Sequence, residues 1–106
     1  MYTLRMDQTL DVIRAAMKEQ RYLEFRYDGL PRTVLPMAVG IAKVAGWKLR
    51  GQQVGGQSSS GNVGDGTPKL FDVGAIHNAV VLDTNFDIPA EYARGDRAFR
   101  RIDTEL

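Results

Sequence analysis

Residues 22–53 hold three strand-like stretches separated by two turn signals, and this close spacing limits the fold more than any other feature. In Tyr22–Tyr27, the apolar Leu23, Phe25 and Tyr27 alternate with Glu24 and Arg26, the period of a half-buried strand. Asp28-Gly29 is a hairpin turn signal, and a return strand runs from Arg32 to Leu35. Pro36 cannot donate to a ladder, so it marks an edge, a bulge or a strand start. Met37–Val44 reads as a further strand with a bend at Gly40, and Ala45-Gly46 turns the chain into Trp47–Gln53. Parallel strands need crossovers of about a dozen residues or more, so strands this close must be antiparallel.

Ahead of them, Met6, Leu10, Ile13 and Met17 recur at helical steps and predict one amphipathic helix over about 7–20, with Asp7 or Thr9 as its cap. Two short strands follow later, Lys69–Val73 and Asn78–Leu82. In the tail, 87–106, the anchors Tyr92, Phe99 and Ile102 suggest a short helix or turn packed over the sheet. At 106 residues the chain is expected to form one domain: the helix, a barrel over about 21–86, and the tail. The fold class is mainly β with one N-terminal helix, a strongly bent antiparallel sheet. A small open β-barrel is the economical form, because bending protects the edges.

Composition removes several kinds of chemistry. There is no cysteine and only one histidine, His77, so thiolate metal sites, disulfides, a thiol nucleophile and a histidine pair are excluded. Catalytic residues, metal ligands and cofactors are therefore expected to be absent, and His77 is read as a hydrogen-bonded structural residue. Neither a signal peptide nor a membrane span is visible, so a cytoplasmic location away from the membrane is expected. Net charge is only +1, yet 14–50 carries eight basic residues against three acids, while 72–106 carries four against seven. Arginine outnumbers lysine ten to four, which suits forked recognition of phosphate or carboxylate. An anion-facing patch and simple interleaving of charge over the surface remain equally open. The segment 54–68 is rich in glycine and serine and costly to order. It lacks a Gly-Lys-Ser/Thr end, so it is not a P-loop. It reads as a solvated loop, or one that orders on a ligand.

Four pieces in order resemble the WYL domain family. They are the strand Leu23–Tyr27, the return Arg32-x-Val34-x-Pro36, the triplet Trp47-Lys48-Leu49, and Lys69-x-Phe71 followed by Ile76. The resemblance spans residues 10–86, most of the chain. Lys48 stands in place of the eponymous tyrosine, Lys69 in place of a common arginine, and the glycine-serine loop is longer than usual. The resemblance implies an Sm-like open β-barrel of bacterial origin, and a regulatory ligand-binding module rather than an enzyme. With one helix before the barrel, the chain is not expected to be a self-sufficient helix-turn-helix repressor.

The resemblance also favours a ligand role for Arg32 and Arg50, expected to project into one groove, over surface ion pairs with Asp28 or Asp72, each contributing at most about 1 kcal/mol. Lys69 adds a point charge. Gln53, Ser58 and Ser59 add neutral polar contacts, and Tyr27 a hydroxyl at a strand end. Trp47 and Phe71 are assigned to the core. Together these residues suggest binding of an anionic ligand, single-stranded nucleic acid or a nucleotide, with occupancy passed to a protein partner and the domain acting in transcription regulation. A homodimer is expected. The alternative is a protein–protein interaction module that does not bind nucleic acid.

Overall fold

A computed structural model describes residues 2–56 and 67–106. Helix α1 (Tyr2–Glu19) starts earlier than the apolar spacing predicts. Thr9 lies inside it, with its hydroxyl donating to the Arg5 carbonyl at 3.1 Å, so neither Asp7 nor Thr9 is the cap. Arg5 secures the early turns by donating to the carbonyls of Gly74 (3.2 Å) and Ile76 (2.9 Å). At the other end Gln20 takes a left-handed φ of 51° and turns the chain into the sheet. Asn85 Nδ2 donates to the Glu19 (3.0 Å) and Gln20 (3.2 Å) carbonyls, supplying partners that the helix end lacks.

Six strands follow: β1 (Arg21–Tyr27), β2 (Leu30–Ala42), β3 (Trp47–Gly56), β4 (Lys69–Asp72), β5 (His77–Asn85) and β6 (Phe99–Glu105). They form one antiparallel, strongly bent and open sheet in the order β4-β3-β2-β1-β5, with β6 also pairing with β2. Asp28 and Gly29, at φ 53° and 73°, form the expected two-residue turn, closed by the pair Tyr27–Leu30. The return segment and the segment after it are not separate strands but one 13-residue β2. A register shift between Pro36 and Ala38 absorbs Met37.

That continuity depends on where Pro36 falls. The last pair of β2 with β1 is Val34–Leu23, and its first pair with β6 is Ala38–Glu105. On this side Pro36 lies between the two partners, where a missing N–H leaves no ladder bond unmade. On the other side β3 pairs with β2 along nearly its whole length.

The tail corrects another expectation. Residues 99–105 form a strand, not a short helix or turn. Its ladder shifts register twice, between Val39 and Gly40 and between Ile41 and Ala42 of β2. Each shift adds a residue to β6, which erases the two-residue alternation that would have marked it in the sequence. Gly40 lets the β6 backbone come close, since a Cβ there would overlap the Arg101 carbonyl oxygen.

The main core lies between α1 and the inner face of the sheet. Leu10, Ile13, Ala16 and Met17 pack on Leu23, Phe25, Val34, Val39, Leu49, Phe71, Val73 and Ile76. Phe71 is buried there and Trp47 packs half-buried against its margin, in keeping with their core assignment. Phe25, Tyr27 and Phe71 meet edge to face, with centroids 5.1–6.2 Å apart. On the outer face Leu35 and Met37 form a second cluster with Phe86, flanked by Tyr22, Tyr92 and Leu106. Gly40→Ala is expected to destabilise the domain by about 1–3 kcal/mol, measured as a fall in the urea midpoint, because the β6 backbone must move. An unchanged midpoint would contradict the close packing of β2 on β6.

Candidate anion-binding site

The β1–β2 hairpin sets one end of the inner face. Phe25 pairs with Arg32 and Val34 with Gln53, so Arg32 and Gln53 share the face of the buried Phe25 and Val34. Arg32 is only 4% exposed. Its Nη1 donates to Gln53 Oε1 at 3.4 Å and its Nη2 to the Tyr27 carbonyl at 3.2 Å, while Cζ lies 5.3 Å from the Tyr27 ring centroid. Among the described residues, the only carboxylate within ion-pair distance is that of Asp28, at 3.8 Å and largely solvated, and the buried Nε has no partner. A guanidinium so enclosed, and so weakly matched, retains much of its cost of leaving water.

Lys69 joins the same face. It pairs with Gly51 and lies two residues from the buried Phe71, so alternation puts it on the inner side. It is half-buried and forms no hydrogen bond or ion pair with any described residue. The Tyr27 hydroxyl accepts the Asp72 N–H at 3.0 Å. Packing of its ring on Phe25 and Phe71 points the oxygen toward β4. Arg32, Gln53 and Tyr27 are therefore in contact and Lys69 stands on the same face, whereas Ser58 and Ser59 lie outside the described residues.

Arg50 does not join them. The extra residue of the shift between Pro36 and Ala38 lies on β2, so β3 itself alternates regularly from Arg50 to Gln53, and Arg50 and Gln52 face away from Gly51 and Gln53. The expectation that Arg32 and Arg50 converge on one groove is thus overturned by strand alternation. Arg50 Nε bonds Asp96 Oδ2 at 2.6 Å, Nη2 reaches Oδ1 at 3.4 Å, and Nη1 donates to the Pro68 carbonyl at 3.3 Å. These contacts leave the Asp96 side chain only 16% exposed. The Arg50 hydrogen bond holds the Asp96 carboxyl below its ordinary pKa, against the opposing effect of burial. Met37, Arg50, Gln52, Pro68, Pro89 and residues 91–97 of the tail, Tyr92 among them, line a cleft of about 550 Å³. Sequence reasoning named Tyr92 only as a packing anchor and missed Asp96, because nothing in the tail's composition shows which sheet face it covers.

His77 is exposed, with Nδ1 2.9 Å from Arg5 Nη2. Among the described residues there is no cluster of three or more metal-ligating side chains, and no helix is long and apolar enough to cross a membrane.

No protein-family model and no curated protein matches the chain. Among solved structures, it is similar to the proteasome accessory factor B/C (PafBC) of Arthrobacter aurescens, with a TM-score of 0.63 and 22% sequence identity. The match covers 82% of this chain and 13% of that one. The likeness is one of fold.

The Asp96 ion pair makes stability depend on acid. The folded pKa lies below the unfolded value of about 3.9, so the stabilisation is present above that value and is lost as pH falls through the folded pKa. Urea unfolding between pH 6 and pH 2 is expected to show a shallower acid loss for Asp96→Asn than for the wild-type chain. Identical acid limbs would contradict the pairing.

Proposed function

We propose that this chain is a regulatory ligand-binding module of WYL type that takes an anionic ligand, single-stranded nucleic acid or a nucleotide, at the hairpin end of its inner face, and signals that occupancy to a protein partner. The observation that carries the proposal is the enclosed Arg32 guanidinium, its Nε unpartnered among the described residues, on the same face as Lys69, which forms no pair with any described residue. A phosphate would supply the acceptor oxygens and negative charge that Asp28, at 3.8 Å, supplies only weakly. Gln53 positions the guanidinium, and the Tyr27 ring backs it. Arg50 is left out of this site, as its fork is engaged by Asp96 on the other face. The PafBC likeness and the four-piece WYL resemblance support a regulatory module. No catalytic role is assigned to any residue.

A second reading, a protein-interaction module that also self-associates, is favoured by exposed Leu70 on β4 and Val80 on β5, the two ends of the five-strand order. It predicts a dimer by light scattering, co-purification with a partner, and no oligonucleotide binding.

Fluorescence anisotropy of labelled single-stranded oligonucleotides at several salt concentrations separates the two readings. The wild-type chain is expected to bind with steep salt dependence. Lys69→Gln should reduce the slope of log K against log salt by about 0.7, the value for one phosphate contact on a single strand. Lys18→Gln, at the exposed end of α1, should leave the slope unchanged. Salt-independent binding, or Lys69→Gln binding like wild type, would overturn the proposed site.

A further inference from the structure

The cleft on the outer face carries an inference of its own, independent of the inner-face site. Its walls are mostly apolar, with Met37 below and Pro68 and Tyr92 beside it, and its volume of about 550 Å³ suits a small molecule. Tyr92 is fixed in place, its hydroxyl donating to the Met37 carbonyl at 3.2 Å. Three arginines line this space; Arg94 is held by Glu105, and the other two stand in different states. Arg97 is exposed and forms no hydrogen bond or ion pair with any described residue. Arg50 presents its fork to a carboxylate, Asp96, that belongs to the cleft wall itself. Arg50 and Asp96 remain 24% and 16% exposed, so the pair borders the cleft rather than lying sealed beneath it.

We propose that this cleft binds a small amphipathic anion, an apolar or aromatic body bearing a carboxylate or phosphate, whose acid group replaces Asp96 on Arg50. The apolar body would lie along Met37 and Tyr92, and Arg97 would supply a second charge at the rim. Asp96 is in effect a tethered occupant of the acid subsite, so ligand and carboxylate compete for one guanidinium. Releasing Asp96 does not cast off the tail. The same loop stays tied by Arg94 to Glu105 at 3.3 Å, and by the Gly95 N–H to the same carboxylate at 3.0 Å. Exchange therefore moves a short wall segment against a fixed frame, which links occupancy to the shape of the outer surface.

The test titrates the intact chain with phenyl phosphate, benzyl alcohol and inorganic phosphate, followed by amide chemical shifts. Phenyl phosphate is expected to bind at least tenfold more tightly than either of the others, with shifts at Gln52, Tyr92 and Asp96. Asp96→Asn, which keeps the Arg50 fork but removes its competitor, should tighten phenyl phosphate binding several-fold. Arg50→Gln should weaken it about tenfold, whereas Lys69→Gln should leave it unchanged, which separates this site from the inner-face one. Equal binding of phenyl phosphate and benzyl alcohol, shifts confined to the Arg32 end, or unchanged or weaker binding by Asp96→Asn would each overturn the proposal.

Discussion

The whole sheet depends on β2 changing partners at a residue that cannot donate a hydrogen bond. Before Pro36, β2 is flanked by β1; after it, by β6; and β3 runs along the other side throughout. One long strand thereby joins the hairpin at one end of the sheet to the C-terminal strand at the other. The bulge at Met37 and the close approach at Gly40 bend it around the core. Without that exchange the tail would have no ladder to join, and the outer face would lose its cover.

That bend gives the protein two chemically different faces. The inner face is sealed by α1 over an aromatic and aliphatic core, and at its hairpin end the apolar lining gives way to Arg32, Gln53 and Lys69. The outer face is covered by the tail, with Leu35 and Met37 against Phe86 and ion pairs around the margin. Arg14 adds a two-bonded link from α1 to Asp103 on β6, at 2.9 and 3.0 Å, which holds the last strand against the first helix. It keeps the Asp103 carboxyl below its ordinary pKa, as Arg50 does for Asp96. Charge in the tail is therefore used to close the fold as well as to solvate it.

The contrast between the two arginines bears most directly on function. Both stand on neighbouring strands of one sheet, and both offer a fork suited to an acid. Their surroundings differ because one residue of offset in a strand reverses the side on which a side chain stands. Arg32 enters a nearly dry environment with incomplete compensation, whereas Arg50 meets a carboxylate from a segment almost fifty residues away, Asp96. A charge at the end of a core and a charge in a covered cleft are different instruments, even when the residue type is the same.

The sequence by itself determined what local physics decides. The 3.6-residue stripe on α1, the alternation in β1, the Asp28-Gly29 turn and the core roles of Leu23, Phe25, Leu49 and Phe71 all follow from neighbours within a few residues. The shared face of Arg32, Gln53 and Lys69 follows from strand pairing and alternation. Only the tertiary structure decided that two segments flanking Pro36 are one strand, that 99–105 pairs with it, and that Arg50 turns away from Arg32 toward Asp96. Bulges break the period from which strands are read, and an ion pair between distant residues leaves no trace in the spacing of either one. Both arise only when the chain closes on itself.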